Sequence, residues 1–304
     1  MSFNLYFAGQ QAKEVDQYII KKKCCRLFSQ SNERKGILEY CSLCRKSRPK
    51  LLVDSGAFSV AHSGKSVDID QYIDFINEND DGVTAWVELD SIPFPVLNST
   101  TAKKCSEESW QSYLYMLPKV KSPEKLIPIY HFGEPKENLR RILNTEHEIL
   151  DGKPAPYIGV GGRHGVSTQE QLYYFDDVFK IVKSSKNPNV KIHAFGMTVL
   201  TLLEQFPFYS ADSTTWLQLG INGNIITEHG IFVVSDRNKT SNNILNQHYE
   251  CRKIVEDDIS KFGYTLEEVS NDYKKRLMCN IDFFQNWADN YKYTPLSVRR
   301  RRLI

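Results

Sequence analysis

Short apolar runs rich in β-forming residues recur through the first 235 residues, with helical patterns between most of them. That alternation restricts the possible folds more than any other feature of the chain. The runs are Asn4–Phe7, Lys50–Val53, Thr84–Leu89, Leu126–Tyr130, Tyr157–Val160, Lys191–Phe195, Phe208–Ser210 and Ile231–Val234. Strands separated by helices must be joined by crossovers, which pair them in parallel. Eight such runs close a barrel more naturally than they extend an open sheet. The doubly wound alternative lacks its usual mark, because no G-x-G-x-x-G follows the first run. The expected fold is therefore α/β, a (β/α)8 TIM barrel.

The intervening segments carry start and stop signals. Asp68 and Gln71 have capping-box spacing before an apolar face of Ile69, Tyr72, Ile73 and Ile76. Trp110, Tyr113, Leu114 and Leu117 repeat that face, and Ser167 with Glu170 opens another helix. Met197 to Phe206 reads as a short helix stopped by Pro207, which cannot continue the hydrogen-bond ladder. Beyond residue 240 the pattern is wholly helical: one stretch ends near Gly263, and another starts at Thr265 with Glu268 and runs towards Tyr291. A chain of 304 residues suits one such domain, with the barrel over about 1–240 and a helical extension over about 241–304.

With 41% hydrophobic and 25% charged residues, the composition is that of an ordinary globular protein. The sequence has neither a signal-peptide h-region nor a long apolar run, so a cytoplasmic location is expected. Seven cysteines then read as reduced thiols. Cys41 and Cys44 form a lone C-x-x-C without the second arm that a closed zinc site requires, so no metal or other cofactor is expected. The net charge of +2 creates no global field, but three basic clusters stand out: Lys21, Lys22 and Lys23 with Arg26; Arg45 to Lys50; and Arg299, Arg300, Arg301 and Arg302. Each is either a solvated surface or a grip on nucleic-acid phosphate.

Barrel enzymes place their chemistry at the C-terminal ends of the strands. The residues just past the runs are Gly9, Asp54-Ser55-Gly56, Asp90, His131-Phe132-Gly133, Gly161-Gly162, Gly196, Asp212-Ser213 and Ser235-Asp236. Each aspartate taken alone also suits a helix cap or Asx-turn, and His131 also suits a satisfied strand-end histidine. As a set they offer more. Two carboxylates across a sugar serve glycosyl transfer, one attacking the anomeric carbon while the other moves protons. A third acid can accept from the N–H edge of a purine. Carbohydrate and nucleoside both remain open on these grounds. His193, inside a strand, reads as core or as a support for the site, and Glu88 falls before the strand end.

At these residues the chain resembles the tRNA-guanine transglycosylase superfamily, its archaeosine-type branch more than its queuine-type branch. Asp54-Ser55-Gly56-Ala57-Phe58 resembles the D-S-G-G/S-F/Y motif, which implies that Asp54 is the general acid/base and that Phe58 stacks on the base. Leu89-Asp90-Ser91-Ile92-Pro93 resembles the L-D-x-P region, implying base recognition by Asp90. His131-Phe132-Gly133 falls at the V-Q-G segment, and Tyr157 to Gly162 resembles the glycine-rich segment along the base; Ser55, His131, Gly133, Gly161 and Gly162 are thereby implied as substrate contacts. Lys191 to Trp216 resembles the H-x-F-G, helix, strand, D-S-A-A-Y stretch and implies that Asp212 is the nucleophile of a covalent intermediate.

There are departures from the pattern. Ser59 stands where the family usually has Gln, and His131 likewise replaces a Gln. The C-x-C-x-x-C…H zinc site is missing, with only Cys251 and Cys279 after residue 217. No room remains for a tRNA-binding C-terminal domain, a compactness similar to that of the DNA-guanine transglycosylases of bacteriophages. The expectation is therefore exchange of guanine in a nucleic acid, DNA favoured over tRNA, for a 7-deazaguanine such as preQ0. The alternatives are a tRNA substrate, a glycosidase or nucleoside hydrolase using the same carboxylates with water, and a non-catalytic nucleic-acid-binding subunit.

Overall fold

The computed structural model describes residues 3–9, 12–46, 49–57, 67–92, 98–162, 165–197 and 199–291, without the side chains of 32, 43, 45 and 46. These divide into two compact units: Cys25–Asp212, and the segments that end at Cys24 and begin at Ser213.

In the Cys25–Asp212 unit the strands are β2 (Cys25–Ser29), β3 (Leu51–Asp54), β4 (Ala85–Val87), β5 (Leu126–Ile127), β6 (Ile129–Tyr130), β7 (Tyr157–Gly161), β8 (Lys191–Phe195) and β9 (Ser210–Ser213). β2 pairs with β3, β3 with β4 and β4 with β5; β6 pairs with β7, β7 with β8 and β8 with β9, and every pair is parallel. β5 and β6 are one extended stretch broken at Pro128, which has no N–H to give the ladder. Its carbonyl still accepts from Gly159 N at 2.9 Å. The unit thus holds a continuous parallel arc. With β1 (Asn4–Ala8), which belongs to the other unit, the strand number is that of a (β/α)8 barrel, and the fold is α/β of the TIM-barrel type. Leu51-Leu52-Val53 and Ala85-Trp86-Val87 are wholly buried, as strands covered on both faces must be.

The strand-connecting helices of this unit are α2 (Gln30–Lys46), α3 (Ile69–Asn79), α4 (Ser99–Met116), α5 (Lys136–Asn144), α6 (Thr168–Ser184) and α7 (Leu200–Gln205); α1 (Lys13–Lys22) lies in the other unit. Asp68 caps α3 by accepting from Asp70 N and Gln71 N. Ser167 and Glu170 close a reciprocal capping box on α6. Phe175 and Phe179 of α6 pack on Phe206 and Phe208, which flank Pro207.

One of the eight expected strands needs correction, and one strand was not expected. Ile231–Val234 is not a parallel barrel strand. It falls in β11 (Gly230–Val233), which pairs antiparallel with β10 (Asn224–Thr227) in a hairpin, because only two residues separate the runs and no crossover fits. The missing strand is β2. Its sequence Cys-Arg-Leu-Phe-Ser follows three lysines and reads as part of a basic cluster, yet Arg26, Leu27 and Phe28 are all buried. The last helical region also differs. Asp272 leaves helical geometry between α10 (Leu266–Asn271) and α11 (Tyr273–Asn290), and its side chain accepts from Lys274 N, the habit of an N-cap aspartate. Val255 and Ile259 of α9 (Tyr249–Ser260) join Ile225, Val234, Val269 and Cys279 in one core of that unit.

Candidate active site

Asp54, Asp90, His131, Asp212 and the buried His193 all lie in the Cys25–Asp212 unit and form one electrostatic and hydrogen-bonded group. Asp54 ends β3. Among the described residues its Oδ2 accepts only from Gly56 N, at 3.2 Å, across a turn whose glycine has φ +84°. A Cβ at Gly56 would lie 2.3 Å from Ser31 Oγ, so both the turn and the space demand glycine. Burial, then the charges of Asp90 and Asp212, push the Asp54 carboxyl up to about 8, against the smaller pull of Gly56 and His131. Around neutrality Asp54 therefore carries a proton.

Asp90 is held at both oxygens. Ser55 Oγ donates to Oδ1 at 2.7 Å, and His131 Nε2 lies 2.9 Å from Oδ2. Burial disfavours the His131 imidazolium, but the bond to Asp90 and the charges of Asp90, Glu134 and Asp54 outweigh it and raise its pKa. A protonated His131 makes the contact a charge-assisted hydrogen bond.

Asp212, on β9, is 7% exposed. Its Oδ1 accepts from Gly196 N at 3.0 Å and faces His193 Nε2 at 3.1 Å, while Oδ2 has no partner among the described residues. Behind it runs a buried chain: His193 Nδ1 is 2.6 Å from Ser210 Oγ, which is 2.5 Å from Tyr157 Oη. Register explains the chain, since His193 on β8 sits opposite Ser210 on β9 and Gly159 on β7. A consistent assignment has Tyr157 donating to Ser210, Ser210 donating to Nδ1, and Nε2–H donating to Asp212. Such a chain fixes the orientation of the carboxylate and leaves one oxygen open for attack.

Gly161 ends β7 and Gly162 follows it. A Cβ on Gly161 would lie 2.9 Å from His131 Nδ1, whereas on Gly162 it would meet nothing closer than 3.6 Å. Gly161 thus makes room for His131. Gly133, at φ +90°, turns the chain two residues after His131. Phe58, Ser59 and Arg299–Arg302 lie outside the described residues. Of the lysine cluster, Lys21 and Lys23 are exposed, while Lys22 forms a 2.8 Å ion pair with Asp282.

Three supporting residues were given no role from sequence: Glu88 precedes the strand end, Gly196 is only one of the strand-end residues, and Glu134 was not named. Glu88 is buried just past β4, and its Oε1 accepts the ladder N–H of Ile129 at 2.8 Å, the donor next to Pro128. Burial raises its pKa well above the ordinary carboxylate range. Glu134 is also buried and pushed up by its burial, and it accepts from Asn138 Nδ2 at 2.6 Å. Gly196 supplies the amide that Asp212 accepts. The only sequence signal for the acids was polarity beside a strand end. Cys41 is buried, and burial followed by the nearby Cys41 and Cys25 pushes the Cys44 thiol up to about 12. Among the described residues no three His, Cys, Asp or Glu side chains converge as metal ligands, and no helix is long and apolar enough to cross a membrane.

No protein-family model and no curated protein matches the chain.

Proposed function

We propose that the chain is a base-exchange transglycosylase, a pentosyltransferase that replaces guanine in a nucleic acid with a 7-deazaguanine of the preQ0 kind. One observation supports the reading: two electrostatically coupled carboxyls sit in different surroundings, Asp54 protonated near neutrality and Asp212 bonded by two donors on one oxygen, with no partner for the other among the described residues. Divergent acid environments mark an acid and a nucleophile.

In the first half-reaction Asp212 Oδ2 attacks C1′ of the target nucleoside. The C1′–N bond breaks, its electron pair stays with the departing guanine, and Asp54 gives that base a proton. A glycosyl ester on Asp212 remains. In the second half-reaction Asp54 takes the N–H proton of the incoming base, whose nitrogen attacks C1′ and releases the Asp212 carboxylate. Asp90, fixed by Ser55 and His131, accepts from the base edge, and Phe58, Gly133 and Gly162 are assigned to the same base by the resemblance. A base inside a duplex is out of reach, so the target is flipped out or single-stranded. DNA is favoured over tRNA on the resemblance to compact DNA-acting members, and the work is assigned to the cytoplasm.

Incubation with labelled guanine and either single-stranded DNA, duplex DNA or tRNA tests the reading. Incorporation into one polymer, with a covalent protein–polymer complex surviving a denaturing gel, is the expected result. Absence of both label and adduct with every polymer rejects it. Release of free base without reinsertion transfers the same carboxylates to hydrolysis.

A further inference from the structure

The segments on either side of the β10–β11 hairpin and the first turn of α11 line an open cleft of about 690 Å³, with Asn222, Arg237, Asn238, Lys239, Tyr273 and Arg276 among its residues. All of these residues belong to the unit that begins again at Ser213, and none takes part in the Asp54–Asp212 group. The loop is built to keep its shape. Gly223, at φ +84°, offers its carbonyl to Val234 N and Ser235 N. Asn243 Nδ2 donates to the carbonyls of Ser235 and Asn238, and Asn238 Oδ1 accepts from Thr240 N.

Arg276 is the fixed element of the wall. It is 6% exposed, and its Nε and Nη1 donate to the carbonyls of Gly220, Val269 and Ser270 at 2.7–3.1 Å. Its Nη2 has no acceptor among the described residues. Arg237 and Lys239 are exposed and make no hydrogen bond or ion pair among the described residues. Burial disfavours the Arg276 charge most, Asp236 and Asp272 attract it and Arg237 repels it, and no carboxylate lines the cleft among the described residues. The two guanidiniums and the ammonium that line the opening attract an anion, although Asp236 and Asp272 already offset part of the Arg276 charge. The remaining polar side chains of the wall, those of Asn222, Ser235, Asn238 and Tyr273, carry N–H or O–H donors. That donor set suits a tetrahedral oxyanion with several acceptor oxygens.

We propose that this cleft binds phosphate groups, carried either on a polynucleotide backbone or on a small phosphorylated molecule. Phosphate contacts of this type position a ligand without reading its sequence.

The full-length double variant R237A/K239A tests the site, because neither side chain has a partner to lose and the fold should be unaffected. Binding of a labelled single strand of about 20 nucleotides is followed by anisotropy across a salt series, and pyrophosphate binding by thermal shift. For two lost contacts to a single strand, affinity should fall roughly tenfold at ~50 mM salt, and the log–log salt slope should shrink by about 1.4. Weakened oligonucleotide binding supports the backbone source. Loss of pyrophosphate stabilisation with unchanged oligonucleotide binding supports the small-molecule source. Wild type that binds neither probe, or a variant that binds both as wild type does, overturns the proposal. The Asp212→Asn protein, expected to keep phosphate binding while losing exchange, separates failure here from failure of the transglycosylase reading.

Discussion

At the scale of single residues, the two aspartates differ in what surrounds them rather than in kind. Asp54 is buried beside two like-charged neighbours, with one weak backbone donor among the described residues, so it keeps its proton. Among the described residues Asp212 has two donors on one oxygen and none on the other. Asp212→Asn keeps the shape but removes the attacking oxygen, and covalent adduct should vanish on a denaturing gel. Asp54→Asn leaves the nucleophile and removes proton transfer, so exchange should drop roughly 10²–10⁴-fold. His193 acts through Asp212 and is a positioning residue. Its removal as His193→Ala leaves Ser210 and Asp212 without their buried partner, which should cost about 1–3 kcal/mol in urea denaturation. A merely structural role would stop there. A positioning role also slows adduct formation, and His193→Gln, which can still donate to Asp212, should restore part of that rate. Equal adduct rates in wild type and His193→Ala would reject the role.

At the scale of elements, β7 shows how a strand end serves its neighbour. Two adjacent glycines look interchangeable in sequence, and both resemble a base-contacting segment. They differ in what a methyl group would touch: His131 at 2.9 Å for Gly161, and only ordinary contacts for Gly162. Gly161→Ala should therefore push His131 away from Asp90 and cost roughly 1–3 kcal/mol by overpacking, whereas Gly162→Ala should fold as wild type does. NMR titration of His131 checks the cause, since its raised pKa should move back towards 6.5 only in the Gly161 variant. The same element shows what the sequence makes legible. Asp54, Asp90, His131 and Asp212 were readable because each follows an apolar run, and strand ends carry chemistry in this fold. His193 and Ser210 were harder to read because they sit inside strands, and only the register of β8 with β9 brings them together. β2 was hidden for a related reason. Its Arg26 is 1% exposed and lies over the Phe28 ring at 4.6 Å, so a residue that reads as surface charge belongs to the interior. Ile231–Val234 misled in the opposite sense, since an apolar run carries no information about whether its partner is parallel or antiparallel.

At the scale of the whole molecule, the buried acids set how stability depends on pH. Asp54, Glu88 and Glu134 all have raised pKa values, with burial as the leading cause in each. Between their ordinary values of 3.8 or 4.5 and the raised ones, the folded chain binds more protons than the unfolded chain. Stability then falls as pH rises through that window. His131 works in the same direction, because its stabilisation is complete below 6.5 and is lost as pH climbs through its raised folded value. The opposing groups act mostly at lower pH. Glu107, Glu146, Glu268, Asp70 and Asp258 are held below their ordinary values, so their contribution is present above about 4–5 and disappears on acidification. His147, lowered by burial, takes a little stability away below 6.5. The sum is a maximum on the acid side of neutrality and a decline towards pH 8, where Asp54 would have to ionise. Thermal unfolding followed from about pH 4 to 9 should show the midpoint peak near pH 5 and fall thereafter. Asp54→Asn should flatten that decline and be the more stable protein at the alkaline end, even though it has lost its proton donor. A wild-type midpoint that rises steadily from pH 5 to 8 would show that these carboxyls are not held protonated by the fold, and would remove the acid from the proposed chemistry.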